Sequence, residues 1–223
     1  MKNKQYRGQL TPRQATEGIR LAEENAASLL ADARLLFDNG RLERSVALTI
    51  LAIEEAGKTT IIREILLTDD SKELKKLWQE YRRHTDKNRM WIFGELFSKG
   101  ARNLEDFKIM FESRSTHGQT LENLKQLSLY TDAFSNCKWS TPKKIVNKDV
   151  AESILKTAQL IVGGDNSTVD SEEELGLWIK HMKPVWKQET LKMKQALINF
   201  YSEAESLGLI KKGMTKKMTD FAL

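Results

Sequence analysis

Apolar residues recur at helical spacing through most of the chain. Ile19, Ala22, Ala26, Leu29, Leu30, Ala33, Leu36 and Phe37 follow one another in steps of three and four, one face of a helix. The start of that helix is written in Thr11-Pro12-Arg13-Gln14: Thr as N-cap, Pro at the first helical position and Gln three after the cap form a capping box. Asn39-Gly40 supplies the stop. The next helix, about 41–67, is patterned differently. Leu48, Leu51, Ala52 and Ile53, then Ile61, Ile62, Ile65 and Leu66, make it apolar around much of its circumference. A helix of that kind sits in the middle of a bundle. The short link between the two predicts an antiparallel hairpin.

A third helix is predicted over about 72–97, with Leu74, Leu77, Tyr81, His84, Asn88, Trp91, Ile92 and Leu96 on one stripe. The stripe turns polar within Arg82-Arg-His-Thr-Asp-Lys-Asn88. Shorter helical stretches follow over about 102–112 and 119–129, then an irregular loop with Trp139 and Pro142. Asn147-Lys148 opens a helix to about Val162, and Gly163-Gly-Asp-Asn-Ser167 reads as a connector. The last long helix, about 171–206, contains Pro184, which should bend or break it. After Gly208 a basic tail (Lys211, Lys212, Lys216, Lys217) reads as a short exposed helix. No alternation marks a strand, and no repeat is visible. The expected architecture is all-α: an antiparallel helical bundle over 1–145, with a C-terminal helical extension over 146–223 packed on it.

Composition narrows the classes without choosing one. Forty per cent hydrophobic residues in 223 suffice for one sizeable core. The excess of 36 Lys and Arg over 31 Asp and Glu permits a polyanionic partner without demanding one, because the basic residues are scattered. A single cysteine, Cys137, excludes an intrachain disulfide framework and a Cys-cluster zinc site. Met1 to Leu10 is polar and basic, with no apolar core of a signal peptide. The apolar run Val46 to Ile53 falls far short of the roughly 20 residues a membrane span requires. A reducing, cytoplasmic location without membrane contact is the expectation.

The chemistry centres on the second helix, where Glu54 and Glu55 interrupt the apolar run and are followed by Gly57 and Lys58. Ala52-x4-Gly57-Lys58-Thr59 satisfies a relaxed phosphate-loop pattern, but that loop follows a strand and turns its N–H groups onto phosphates. A helix interior carrying two carboxylates does neither, and no nucleotide cofactor is expected. A buried carboxylate is destabilising by several kcal/mol, on the order of its desolvation, unless it is paired. Glu54 and Lys58 stand in the favourable i, i+4 order. Glu55 points about 100° away, and helix three offers it Arg82, Arg83, His84 and Lys87. Gly57 then marks a place where another backbone approaches closely.

Two readings of these charges stand side by side: a buried network that fixes helix register, and a site. His84 is of the type that moves protons near neutral pH, and Arg83 and Lys87 can face a developing phosphorane charge. His117 and His181 have no comparable surroundings and read as surface residues. With no His pair at i, i+4 and no Cys cluster, no metal is expected.

Gly40-Arg41, Ser45-x-Ala47-Leu48, Leu51-Ala-Ile-Glu-Glu-Ala-Gly-Lys58 and Arg83-His84-x-x-Lys87 together resemble the AbiV family of bacterial abortive-infection proteins. Leu129-Tyr130-Thr131-Asp132, with Trp139 and Pro142 downstream, is similar to a later segment of that family. The resemblance spans roughly residues 15–142. It implies a HEPN-like helical fold and antiphage defence, in which the infected cell shuts down before progeny are released. Many HEPN-like proteins are dimeric, metal-independent ribonucleases, which implies a homodimer acting on RNA, with a phage-encoded protein as candidate trigger. In that form His84 is the acid–base residue, Arg83 and Lys87 face phosphate, and Glu54 or Glu55 orients them, with Lys58 also among the candidate site residues. The HEPN nuclease pattern of Arg, four to six residues, then His is absent here: the positions before His84 hold Leu77, Trp78 and Gln79. The alternative is a non-catalytic module that engages a phage or host protein.

Overall fold

The computed structural model describes residues 4–83, 117–162 and 171–222. The expected continuation of helix three to Phe97, the stretch 102–112 and the connector from Gly163 lie outside them. The described elements are α1 (Pro12–Asp38), α2 (Leu42–Leu67), α3 (Ser71–Arg82), α4 (His117–Leu129), β1 (Asp132–Phe134), β2 (Lys138–Ser140), α5 (Pro142–Ile145), α6 (Lys148–Val162), α7 (Glu172–Met182), α8 (Thr190–Ser206) and α9 (Met214–Ala222). The fold is all-α, as the periodicity requires. None of the described helices is long and apolar enough to cross a membrane.

Local signals set the first hairpin. Thr11 Oγ1 accepts from the Gln14 N–H while the Gln14 side chain accepts from the Thr11 N–H, so the capping box forms on both sides. At the far end Gly40 takes φ +71°, its N–H donates to Phe37 and the Arg41 N–H donates to Leu36. This is a Schellman ending, and a side chain at Gly40 would be strained. The chain then reverses, and α1 lays Ala15, Ala22, Ala26 and Ala33 against α2. Those small residues let the helices approach until the Ser45 hydroxyl reaches the Ala33 carbonyl at 2.7 Å.

The helix α2 is the centre of the bundle. It touches α1, α3, α4, α5, α6 and α7, and buries residues on every side, from Val46 and Ile50 to Ile61, Ile62, Ile65 and Leu66. Among the described residues, four apolar clusters run along it, the last joining Leu67 to Met182 and Ala196. Val46 and Ile50 pack with Leu121, Val146, Ala151 and Ile154. Ile62 and Leu66 pack with Ala15, Ile19 and Leu175. Ile61 and Ile65 pack with Leu77 and Trp78. The chain beyond residue 145 therefore meets α2 directly, through α6 at one end and α7 at the other. Arg63 of α2 reinforces the second contact: its guanidinium lies 2.9 and 3.1 Å from the two oxygens of the fully buried Glu174, and 5.4 Å from the Trp178 ring centre.

Two interruptions of the helical run are local. The loop at 132–140 contains a short antiparallel hairpin, with Ala133 opposite Trp139, although no strand was expected. Three residues per strand are too few to show an alternating period, and its turn uses positive φ at Asn136 (61°) and Cys137 (57°). Pro184 interrupts the last helix as expected: α7 ends at Met182, one 3-10 turn spans Lys183–Val185, and α8 restarts at Thr190.

The tail is tied back by one carboxylate. Glu205 accepts from the Gly213 and Thr215 N–H groups, each at 2.8 Å, and these bonds hold its pKa at about 2. A carboxyl depressed in the folded state supports structure above its unfolded pKa and loses that support as pH falls through the folded value. The window is about pH 4.5 down to about 2. Acidification across it, or Glu205→Ala at neutral pH, should free α9 before the bundle melts. Limited proteolysis at Lys211 and Lys212 reads this directly, with unchanged cleavage as the contrary result.

Candidate functional site

The paired carboxylates of α2 separate toward different neighbours. Glu54 is 1% exposed, and the Lys125 ammonium of α4, itself 4% exposed, reaches it at 2.7 Å. Lys125 also lies 2.7 Å from Glu122, one turn earlier on α4. Glu55 is half-buried and meets Lys58 at 2.5 Å, in the i, i+3 relation. The Lys58 ammonium sits 5.3 Å from the ring centre of Tyr81 on α3. Among the described residues, then, Lys58 pairs with Glu55, where the helical spacing had suggested Glu54. The reason is the side of the helix each faces. Glu54 is turned into the interior toward α4, whereas Lys58 keeps its charged end at the partly exposed edge beside α3, where Glu55 also lies.

Among the described residues, Lys125 of α4 supplies Glu54 with a cation; of the residues of the third helix proposed as partners of Glu55, His84 and Lys87 lie outside the described residues. The sequence held a signal for Lys125. It stands four residues after the buried Leu121 and next to the partly buried Leu124, so a lysine falls on the inward face of α4 as Glu54 does in α2. Gly57 is buried in α2, and the segment 52–59 is helix throughout, so the phosphate-loop resemblance has no loop beneath it.

Arg83 is exposed and caps the C-terminus of α3, its N–H donating to Gln79 and Glu80 carbonyls. His84 and Lys87 lie outside the described residues. Arg83 also belongs to a cationic pocket with Arg7, Lys75, Gln79 and Arg82. His181 is not a free surface residue: its Nε2 lies 2.7 Å from Glu203, whose pKa is lowered by the hydrogen bonds from Lys180 and then His181. That cluster joins α7 to α8 across the Pro184 break.

An all-α bundle gathered about one apolar helix is consistent with a HEPN-like helical domain. The family model described as AbiV, within that class, matches residues 14–163, and the chain belongs to the AbiV family. This membership implies a role in abortive infection or HEPN-type defence. Neither the curated proteins nor the solved structures gave a match. The matched stretch takes in α1 to α6 and stops before α7 and Glu174.

Removing one partner of a buried ion pair typically costs about 3–5 kcal/mol, whereas replacing both partners is far milder. Lys125→Met should therefore lower the urea unfolding midpoint sharply, and Glu54→Gln with Lys125→Met should recover most of the loss. A single variant as stable as wild type would show that the pair holds nothing together.

Proposed function

We propose that the protein is an abortive-infection effector that cleaves RNA without a metal ion, acting as a homodimer. His84 is the acid–base residue. The 2′ oxygen of RNA attacks the adjacent phosphorus as His84 takes its proton, the bond to the 5′ oxygen breaks, and the departing oxygen is protonated by solvent. Arg83 and Lys87 offset the charge that builds on the phosphorane oxygens. The Glu55–Lys58 pair, packed through Tyr81 against the end of α3, holds the approach to Arg83-His84 in place, and Glu54 serves the frame.

The observation that carries this reading is the position of Arg83. It stands exposed in a group of cations at the end of α3, immediately before His84 in the chain, in a protein whose family implies defence. The alternative, a binding module that engages a phage or host protein, draws on the missing Arg-x4-6-His pattern and on charges already paired within α2 and α4.

Light scattering on the size-exclusion peak, followed by incubation of that peak with total RNA in EDTA, tests the proposal. Wild type should elute as a dimer and cleave RNA. His84→Ala should lose about 100-fold or more of that activity, in line with removal of a general acid–base group. A folded dimer that protects cells from phage but leaves RNA intact would shift the assignment to the binding module.

A further inference from the structure

The pocket at the end of α3 has a composition that the bundle itself does not use. Arg7, Lys75, Arg82 and Arg83 line it with Gln79, in a volume of about 180 Å³. No described carboxylate forms an ion pair with any of the four cations. Arg82 is the fixed member. Its guanidinium donates to the Trp78 and Tyr6 carbonyls and lies 5.2 Å from the Trp78 ring centre. Burial, and then the neighbouring Arg7, push its pKa below the ordinary value, so like charges are held together here against their repulsion.

The N-terminal segment completes the pocket. Trp78 Nε1 donates to the Gly8 carbonyl at 2.9 Å, and the Gln9 side chain donates to the Ile65 carbonyl at 2.8 Å. Together with the Arg82 bond to the Tyr6 carbonyl, these bonds pin the chain on either side of Arg7 to α2 and α3. Tyr6 stands next to it, 53% exposed, its ring meeting Trp78 edge-on at 5.8 Å. Both Tyr6 and Arg7 precede residue 14, where the family match begins.

We infer that Arg7, Lys75, Arg82 and Arg83 form a phosphate-binding pocket that anchors the backbone of single-stranded RNA, with Tyr6 as a stacking surface for a neighbouring base. The inference rests on RNA being the ligand of the proposed function, and it adds an anchoring site formed partly by the N-terminal segment. The volume is smaller than the roughly 300–1,000 Å³ of a small-molecule site, so it suits one phosphate group rather than a whole nucleotide cofactor. Planar guanidinium groups match phosphate oxygens, and an exposed ring beside a basic groove is how single strands are held without sequence preference. An acidic peptide offers carboxylates to the same cations but nothing to stack on Tyr6.

The test uses a fluorescent 2′-O-methyl RNA, which has no 2′-hydroxyl to attack and so reports binding without cleavage. Titrations in EDTA at several salt concentrations compare wild type with Arg7→Gln/Lys75→Gln, both exposed positions, after matching their urea midpoints. Wild type should bind. The variant should bind roughly tenfold more weakly, with a salt slope shallower by about 0.7 to 1.4, as expected for one or two lost phosphate contacts on a single strand. Tyr6→Ala should weaken binding while leaving the salt slope unchanged. Equal binding by wild type and the double variant, or no binding by wild type, overturns the pocket. Displacement of the probe by polyglutamate as readily as by unlabelled RNA overturns it in favour of an acidic protein partner. Unmodified RNA in parallel separates the two claims: pocket-dependent binding without cleavage refutes only the nuclease, and cleavage with unaltered binding by the variant refutes only the pocket.

Discussion

The interaction on which the structure depends is the contact between Glu54 and Lys125, a carboxylate and an ammonium almost wholly removed from water. An apolar helix contacted on many sides could slide or rotate with little penalty if every neighbour were equally greasy. A charge in the middle of it cannot. Glu54 faces α4, where Lys125 supplies a counter-charge, and this ties the register of α2 to α4. With that face assigned, Ile61 and Ile65 fall toward α3, Ile62 and Leu66 toward α1 and α7, and Val46 and Ile50 toward α6. The pair is thus better understood as a constraint on arrangement than as a source of net stability.

Much of this was legible in the chain. The capping box at Thr11, the Gly40 ending, the central place of α2 and the break at Pro184 are all local rules, and each holds in the structure. What could not be read were the partners across space. Helical spacing offers Lys58 to Glu54 and Glu55 alike, and only the direction of burial decides between them. Lys125 lies 71 residues from Glu54, and the pocket joins Arg7 to residues about 70 positions later. The hairpin at 132–140 was missed because its strands are shorter than any period that could announce them.

The candidate chemistry was legible as residue types and less so as roles. Two glutamates and a lysine in one helix read equally as a site or as a scaffold, and the structure distributes them: Glu54 inward, Glu55 and Lys58 toward α3. This division sets the interior of the bundle apart from the proposed site at the end of α3. The interior carries a neutralised charge pair that holds helices in place. The end of α3 gathers cations with no described carboxylate to neutralise them, which is the character of a surface that meets an anion.

That division can be tested in cells by measuring protection against phage for Glu54→Gln/Lys125→Met, with the amount of soluble, cooperatively folding protein determined in the same strain. If the buried pair is architectural, the double variant that keeps its fold should protect as well as wild type per molecule. A double variant that folds at normal levels yet gives no protection would contradict the account and place Glu54 and Lys125 within the working site.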